Sequence, residues 1–353
     1  MNKASSSDSY AIEWLAMNIE PQILELFNAA NIKKQSSLQT LWSGYGSIDR
    51  YTLKYDQSSP HPQSIIIKRI SPPDNSKHPR GWHSSRSHQR KLHSYEVEMH
   101  WYQAWSANCG SHSRIAECYG CMSDGLSHYI ILEDLDASGF NRRTNTLKPE
   151  QTYACLEWLA HFHANFIKDC QQESPSDTWP EGLWSTGSYW HLATRPDEWQ
   201  AMADSELKWQ AETIDKILTN CRFRSVIHGD AKVANFCFNA DFSKVAAVDF
   251  QYVGGGCGMK DIAYFLGSCL SEQQCQRHYK TLLDVYFSFL QQAIKKQNLA
   301  IDSEALEEEW RALFSFAWAD FHRFILGWAP EHPKNTRFSQ QLTAEAIAAL
   351  SRY

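Results

Sequence analysis

No stretch of this 353-residue chain is apolar for long enough to cross a membrane. The best apolar stretch, residues 314–328, is interrupted by Asp320, His322 and Arg323. The first ten residues are polar and rich in serine, and they lack the apolar segment of a secretory leader. We therefore expect a cytoplasmic protein without a membrane span.

The chain also lacks an excess of basic charge and a disulfide framework. It has 34 Lys and Arg residues against 40 Asp and Glu residues, a net charge of −6, so we expect no nucleic-acid partner. The ten cysteines are scattered, which favours reduced thiols. Cys118 and Cys121 have zinc-site spacing, but no second ligand pair follows at a usual distance. We interpret them as two small strand or turn residues.

What the chain does contain is a compact set of polar residues between positions 228 and 251. The stretch His-Gly-Asp-Ala-Lys-Val-Ala-Asn, residues 228–235, includes Asp230, Lys232 and Asn235, and Asp249 follows fourteen residues after the asparagine. The set contains one candidate base, one cation and two oxygen ligands for a hard metal ion. Phosphoryl transfer needs these groups, because its catalysis depends on positioning and on charge neutralisation.

The pattern after Asn235 predicts a β-hairpin. An apolar run at residues 236–238 is followed by turn residues, and a second strand pattern covers residues 244–248. A hairpin centred near Phe242 would return Asp249 to the side of Asn235. Two oxygen ligands would then converge where Mg²⁺ bound to nucleotide phosphates can lie.

Asp230 and Lys232 precede the first strand of this hairpin. A carboxylate there can accept the proton of an incoming hydroxyl, and the lysine can neutralise charge on a transferring phosphoryl group. The alternative is that Asp230 and Asn235 are ordinary loop residues whose side chains bond to their own backbone.

This segment resembles the catalytic loop and metal-binding aspartate of the protein-kinase-like phosphotransferases. It is most similar to the small-molecule branch: aminoglycoside phosphotransferases, choline and ethanolamine kinases, and the ecdysteroid-kinase-like group. The His-Gly-Asp opening at residues 228–230 is typical of that branch, whereas protein kinases usually have His-Arg-Asp. Gln251 replaces the glycine of the protein-kinase Asp-Phe-Gly sequence, and no Ala-Pro-Glu follows. Both differences argue against a protein substrate.

The resemblance implies a bilobal α+β fold. It places a small antiparallel-sheet N-lobe in residues 1–134 and a larger, mostly helical C-lobe in residues 135–353. It also implies a glycine-rich hairpin over the nucleotide phosphates, for which the candidates are Gly44, Gly46 and Ser47. Considered alone, the two glycines are more simply interpreted as an ordinary β-turn.

Lys68 ends a strand that contains three isoleucines. In the family this lysine pairs with the α- and β-phosphates, whereas the alternative is a solvent-facing strand end. The resemblance also implies a glutamate partner on the next helix, predicted at residues 95–102. Glu98 is our choice, and Glu96 is the alternative, which would lie on another face of the helix. A further helix is predicted over residues 10–30 from apolar residues at helical spacing.

Residues 129–135 have the pattern of a buried strand that ends in acidic residues. They resemble the hinge between the lobes, where backbone groups near Glu133 and Leu135 would hold the adenine edge. We expect His163 and His228 to brace the catalytic loop rather than to transfer protons. Asp261 precedes an apolar helix pattern, and we interpret it as a helix N-cap.

Two aromatic-rich regions, residues 179–199 and 314–328, are candidates for the walls of the acceptor site. Aromatic faces together with Asp320 would suit a cationic acceptor, although each aromatic residue alone is more simply a core residue. The resulting hypothesis is ATP- and Mg²⁺-dependent phosphorylation of a hydroxyl on a small molecule, and cationic or amphipathic compounds are among the candidate acceptors. A nucleotide-binding interaction module of the pseudokinase type is the main rival, followed by a protein kinase.

Overall fold

The computed structural model describes residues 19–41, 44–57, 60–72, 85–123, 127–172, 176 and 178–353. The chain divides into two compact units, each discontinuous in sequence. The described parts of 1–77 and 121–132 form the first unit, and those of 78–120 and 133–353 form the second. In the described ranges, every helix is too short or too polar to pass through a lipid bilayer.

The first unit contains helix α1 (Glu20–Phe27) and most of a five-stranded sheet. The strands are β1 (Asn31–Thr40), β2 (Gly46–Lys54), β3 (Ser64–Ile70), β4 (Cys118–Ser123) and β5 (His128–Glu133). Their order is β1-β2-β3-β5-β4, and β2 pairs antiparallel with both β1 and β3. The helix predicted over residues 10–30 is confirmed for its second half, where α1 lies. Its positions 10–18 lie outside the described residues.

The second unit is mostly helical. Its helices are α2 (Ser85–His100), α3 (Tyr153–Phe166), α4 (Pro196–Ala201), α5 (Glu206–Trp209), α6 (Ala211–Thr219), α7 (Met259–Cys269), α8 (Glu272–Lys296), α9 (Ser303–Trp328) and α10 (Arg337–Ala349). Helix α2 belongs to this unit, whereas the resemblance places all of residues 1–134 in the N-lobe. The lobe boundary at residue 134 stays a prediction.

Two small sheets complete the second unit. One contains β6 (Lys168–Asp169), β7 (Phe223–Ile227) and β10 (Gly254–Gly256), with β7 in the middle. The other is a hairpin of β8 (Phe236–Phe238) and β9 (Val245–Ala247).

A stack of aromatic rings lies in the core between α2, α3 and the end of this hairpin. Trp101 follows α2 and stacks on Phe250 at a centroid distance of 4.8 Å. Trp158 and Phe162 of α3 stack at 4.7 Å, and Phe162 lies 6.2 Å from Phe250. Buried rings such as these contribute large apolar areas, so they anchor the chain on the carboxyl side of Asp249.

Candidate functional site

The hairpin predicted from the sequence is present. Strand β8 pairs antiparallel with β9, and the N–H of Val248 donates to the carbonyl of Asn235 at 3.0 Å. The turn is closed at Phe242, which has a positive φ of 63°. Because this backbone hydrogen bond places the following residue beside Asn235, Asp249 returns to the start of the first strand as predicted.

Asp230 is a buried carboxylate with unequal oxygens. Its Oδ2 accepts hydrogen bonds from Lys232 Nζ at 2.8 Å and from Asn235 Nδ2 at 3.1 Å. Its Oδ1 is also buried, and it has no hydrogen-bond partner among the residues that the structure describes. One oxygen is therefore held in place, while the other can accept a proton from an incoming group.

The charges of this cluster influence one another. Burial raises the pKa of Asp230, the carboxylate of Asp249 raises it further, and Lys232 opposes both. Burial lowers the pKa of Lys232, but the carboxylates of Asp230 and Asp249 outweigh burial, so this pKa is raised overall. The lysine therefore stays protonated at neutral pH beside two carboxylates.

Asp249 has a backbone conformation that L-residues rarely adopt. Its φ is 70°, in the left-handed region, which costs about 1–3 kcal/mol and persists only where the surroundings enforce it. The next residue, Phe250, supplies that constraint, since it stacks on Trp101 and lies 4.8 Å from the ring of His228. The core thus holds Asp249 beside Asn235 and Asp230.

The carboxylate of Asp261 holds the backbone of the loop that precedes Asp230. Its Oδ2 accepts from the backbone N–H of His228 at 2.6 Å, and its Oδ1 accepts from the N–H of Gly229 at 2.9 Å. His163 lies 3.1 Å from the same carboxylate and 2.8 Å from the hydroxyl of Tyr286. His163 is therefore a bracing residue, as expected. The prediction that Asp261 caps its helix is wrong, because α7 begins two residues earlier and has no side-chain cap.

His228 and Gly229 shape the loop itself. His228 Nε2 lies 3.0 Å from the carbonyl of Val248, and its Nδ1 accepts from the N–H of Asp230 at 3.3 Å. His228 therefore links the loop to the hairpin, which confirms the bracing role predicted for it. Gly229 has a φ of 74°, and a Cβ there would lie 2.0 Å from the carbonyl oxygen of Tyr252. Only glycine fits this close approach.

Gln251 joins the site to helix α2, a link that the sequence reasoning missed. Its Oε1 accepts from Lys91 Nζ at 2.8 Å and from Ser94 Oγ at 3.3 Å. Its carbonyl accepts from the indole of Trp184 at 2.8 Å. The sequence contained a signal for this link, because Gln251 has a long amide side chain and replaces the glycine of the protein-kinase Asp-Phe-Gly sequence.

The two candidate glutamates on α2 differ in burial. Glu98 is 2% exposed, whereas Glu96 is exposed and lies 3.2 Å from the ring of His93. A buried carboxylate requires a partner, so burial favours Glu98 over Glu96 for the predicted role. The pairing of Glu98 with Lys68 stays a prediction.

Four predicted nucleotide-binding residues belong to the first unit. Lys68 on β3 is 4% exposed, so the alternative of a solvent-facing strand end is wrong. Gly44 and Gly46 have φ values of 76° and 137°, and a Cβ on Gly46 would lie 1.9 Å from the carbonyl oxygen of Arg69. The hydroxyl of Ser47 donates to Asp49 at 2.7 Å. The glycines are thus required by the backbone, and a contact with phosphates stays a prediction.

Glu133 and Leu135, the residues predicted to form the hinge, lie at the end of β5 and just after it. The Glu133 carboxylate accepts from the guanidinium of Arg114 at 2.5 Å and from the N–H of Glu117 at 3.0 Å. Burial raises the pKa of Glu133, but these contacts outweigh it, so the pKa is lowered. The N–H of Glu133 donates to the carbonyl of Glu117, and the carbonyl of Leu135 accepts from the N–H of Phe140, both at 2.8 Å.

Asp320 does not offer a carboxylate to a ligand. Its Oδ2 accepts from the indole of Trp190 at 2.9 Å and from Lys260 at 3.0 Å. Its Oδ1 accepts two bonds from Arg323, at 2.8 and 3.1 Å. Asp320 and its three partners, Trp190, Lys260 and Arg323, are all buried. The part of the cationic-acceptor argument that depended on Asp320 therefore fails.

Two other polar clusters lie apart from the catalytic loop. Cys118 and Cys121 lie within strand β4, which confirms their interpretation as strand residues. Among the described residues, His112, Glu157 and His161 form a group with the residue types of a metal site. Lys296 Nζ already lies 3.2 Å from His112 Nε2, and this ammonium opposes a second cation there.

Comparison with solved structures gives matches over nearly the whole chain. One is described as an aminoglycoside phosphotransferase from Ralstonia eutropha, with 12% identity, a TM-score of 0.48 and 94% of each chain covered. Another is choline kinase from Cryptosporidium parvum, with 10% identity, a TM-score of 0.48, and 91% of this chain and 90% of that chain covered. A microcompartment-associated aminopropanol kinase has 13% identity, a TM-score of 0.45, and 95% and 96% coverage.

These identities and scores are low, so the assignment depends on the sequence. No curated protein matches the chain. The model of the ecdysteroid kinase-like family matches residues 44–178 and 192–299, which is more than half of the chain. The small antiparallel sheet and the larger helical unit accord with the bilobal α+β fold expected of such proteins. The chain belongs to the ecdysteroid kinase-like family, and so to the small-molecule branch of the protein-kinase-like phosphotransferases.

Proposed function

We propose that this protein is an ATP-dependent phosphotransferase that phosphorylates a hydroxyl group of a small molecule. The observation that carries this proposal is the asymmetry of Asp230. Its Oδ2 is held by Lys232 and Asn235, whereas its buried Oδ1 has no hydrogen-bond partner among the described residues. A buried carboxylate oxygen left in this state costs free energy, and it is therefore a candidate for a catalytic group.

In the proposed reaction the acceptor hydroxyl oxygen attacks the γ-phosphorus of ATP. The bond from that phosphorus to the bridging oxygen breaks, and ADP leaves. Asp230 Oδ1 takes the hydroxyl proton, which aligns the attacking oxygen. Lys232, which stays protonated, reduces the negative charge that surrounds the transferring group.

Asn235 and Asp249 suit a magnesium ion. The Asn235 amide donates through Nδ2 to Asp230, so its oxygen is the atom of this side chain that remains to face a cation. Asp249 lies beside it, because the preceding residue is hydrogen-bonded to the Asn235 carbonyl. Oxygen ligands of this kind are those that Mg²⁺ prefers, and the ion, when bound, would neutralise phosphate charge.

We assign nucleotide binding to seven residues. Lys68 and Glu98 are both buried charges, which supports a functional reason for their presence. Since the Glu133 N–H and the Leu135 carbonyl are bonded within the protein, the adenine edge would meet their other backbone groups. The complete proposed set is Gly44, Gly46, Ser47, Lys68, Glu98, Glu133 and Leu135.

The test is Asp230→Asn in the full chain. We expect turnover, measured as ADP release with MgATP and a library of hydroxyl metabolites, to fall by about 10²- to 10⁴-fold. Binding of MgATP should remain, because the substitution keeps the shape of the side chain. Asp241→Asn is the matched control, since Asp241 is an exposed aspartate of the hairpin turn that accepts hydrogen bonds from the neighbouring Ser243.

Two results would contradict the proposal. Unchanged turnover in Asp230→Asn would remove Asp230 from the reaction. A wild-type protein that is stabilised by MgATP in a thermal-shift assay, but releases no ADP with any acceptor, would instead be a nucleotide-binding interaction module.

A further inference from the structure

Lys334, in the segment between α9 and α10, is a half-buried cation that lies over two aromatic rings. Its ammonium lies 5.3 Å from the ring centroid of Tyr264 and 5.5 Å from that of Phe321. Within the ranges that the structure describes, this ammonium has neither a hydrogen bond nor an ion pair. Cation–π contacts compensate only part of the cost of burying a charge.

Tyr264, whose ring Lys334 covers, lies on the face of helix α7 that contacts the loop of Asp230. Asp261 and Ser268, three residues before it and four after it, both accept hydrogen bonds from backbone N–H groups of that loop. In agreement with this placement, burial raises the pKa of the Tyr264 hydroxyl and the charge of Asp230 raises it further. Lys334 and Tyr264 therefore lie on the side of α7 that faces this loop.

Two aromatic rings of this region, those of Tyr189 and Tyr264, are already covered by cations of the protein. The N–H of Tyr189 donates to the carbonyl of Gly229 in the catalytic loop, at 2.8 Å. The guanidinium of Arg195 lies 4.3 Å from the Tyr189 ring, and Lys334 covers Tyr264. A cationic acceptor would have to displace these groups from the rings.

Two carboxylates of the region, those of Glu198 and Asp320, are also committed. Glu198 accepts from Arg195 at 3.0 Å, and Asp320 is saturated by its four hydrogen bonds. Because Asp249 is proposed for the metal ion and Asp230 Oδ1 for the acceptor hydroxyl, the ammonium of Lys334 favours a negative ligand over a positive one.

We propose that Lys334 binds the acceptor, and that the acceptor carries an anionic oxygen group besides the hydroxyl that is phosphorylated. The group is a carboxylate, a sulfate or a phosphate ester that pairs with the ammonium, while apolar parts of the molecule lie against Tyr264 and Phe321. The proposal rests on the proposed function, because Asp230 marks where the acceptor hydroxyl must lie.

Inorganic sulfate is a probe that needs no knowledge of the natural acceptor. The full chain is saturated with Mg²⁺ and a non-hydrolysable ATP analogue, so that the phosphate-binding groups are occupied, and is then titrated calorimetrically with sulfate. We expect one weak site that loses affinity by about 10- to 100-fold in Lys334→Met, the range for a charged hydrogen bond, and that Lys334→Arg restores. Tetramethylammonium should not bind.

The matched control is Lys280→Met. Lys280 also lies over a tyrosine ring, 5.8 Å from the centroid of Tyr279, but it is an exposed residue of α8. Sulfate affinity that is equal in wild type and Lys334→Met, or no sulfate binding by wild type, would overturn the proposal. Failure of the ATP analogue to bind would instead contradict the proposed function, so the two failures are distinguishable.

A second arm uses acceptors of matched length that end in a carboxylate, an ammonium or a hydroxyl. We expect ADP release with the hydroxy acids, and a rise of about 10- to 100-fold in their KM in Lys334→Met, with kcat and the KM for ATP nearly unchanged. A fall in kcat alone would place Lys334 on the transferring phosphoryl group and overturn its assignment to the acceptor. Turnover of amino alcohols alone would overturn the anionic class.

Discussion

Asp230 and Asp320 are both buried aspartates with a lysine about 3 Å away, yet their surroundings differ. Asp320 accepts hydrogen bonds on both oxygens, from Lys260, Arg323 and Trp190. Among the described residues, the side chains within hydrogen-bonding distance of Asp230 donate to Oδ2 and not to Oδ1. Burial raises the pKa of both carboxyls, but the two cations beside Asp320 outweigh it and lower that pKa, whereas the pKa of Asp230 is raised overall.

The difference separates a saturated carboxylate from one that can still accept a proton. A carboxylate whose lone pairs are all engaged stabilises its ionised form and has nothing to offer a ligand. A carboxylate with one idle buried oxygen costs stability until a proton donor arrives, which is the state expected of a general base. Saturation of the oxygens, and not the presence of a neighbouring lysine, distinguishes the two sites.

The largest expected contrast concerns stability. Asp320→Asn leaves the buried charges of Lys260 and Arg323 uncompensated, so we expect a loss of about 3–5 kcal/mol in the free energy of unfolding. Asp230→Asn should change it by less than about 1 kcal/mol, because the lysine left behind is 37% exposed. Urea denaturation at neutral pH measures both. Equal losses in the two variants would show that saturation does not distinguish the sites.

Replacing the lysine beside each aspartate with methionine sharpens the contrast. Lys232→Met should reduce kcat by about 10²-fold, because it removes a cation beside the transferring group, with little loss of stability. Lys260→Met leaves Asp320 buried with one cation fewer, and we expect a loss of about 3 kcal/mol in the free energy of unfolding. ADP release and urea denaturation on both variants test this reversal. A catalytic defect that merely tracks the loss of stability would contradict it.

The smallest effect is a difference in pH dependence, measured by denaturation without metal ions. The folded-state pKa of Asp230 is raised, so its ionisation penalises the folded protein as pH rises from about 4 through that pKa. Asp230→Asn should therefore gain stability relative to wild type over this interval. The folded-state pKa of Asp320 is lowered, so its contribution is complete above about pH 4 and falls only at more acidic pH. The deficit of Asp320→Asn should therefore stay constant between pH 5 and 8, and a deficit that shrinks over that range would count against this assignment.

The arrangement of residues 228–251 could be predicted because its contacts are local. Asp230, Lys232 and Asn235 lie within six positions, and a short hairpin with recognisable strand and turn residues returns Asp249. Hydrogen-bond geometry within so short a segment follows from residue type and spacing. The interpretation of the single residues therefore agreed with the resemblance to a family of kinases.

The amino-acid sequence by itself determined the family and the hairpin that returns Asp249 to Asn235. Only the tertiary structure decided that Asp261 holds the loop of Asp230 instead of capping a helix, that Gln251 bonds to Lys91 of α2, and that Asp320 is saturated. These outcomes depend on which groups from distant segments reach a buried carboxylate or amide. Burial and hydrogen-bond saturation are properties of the packed chain, and no local pattern encodes them.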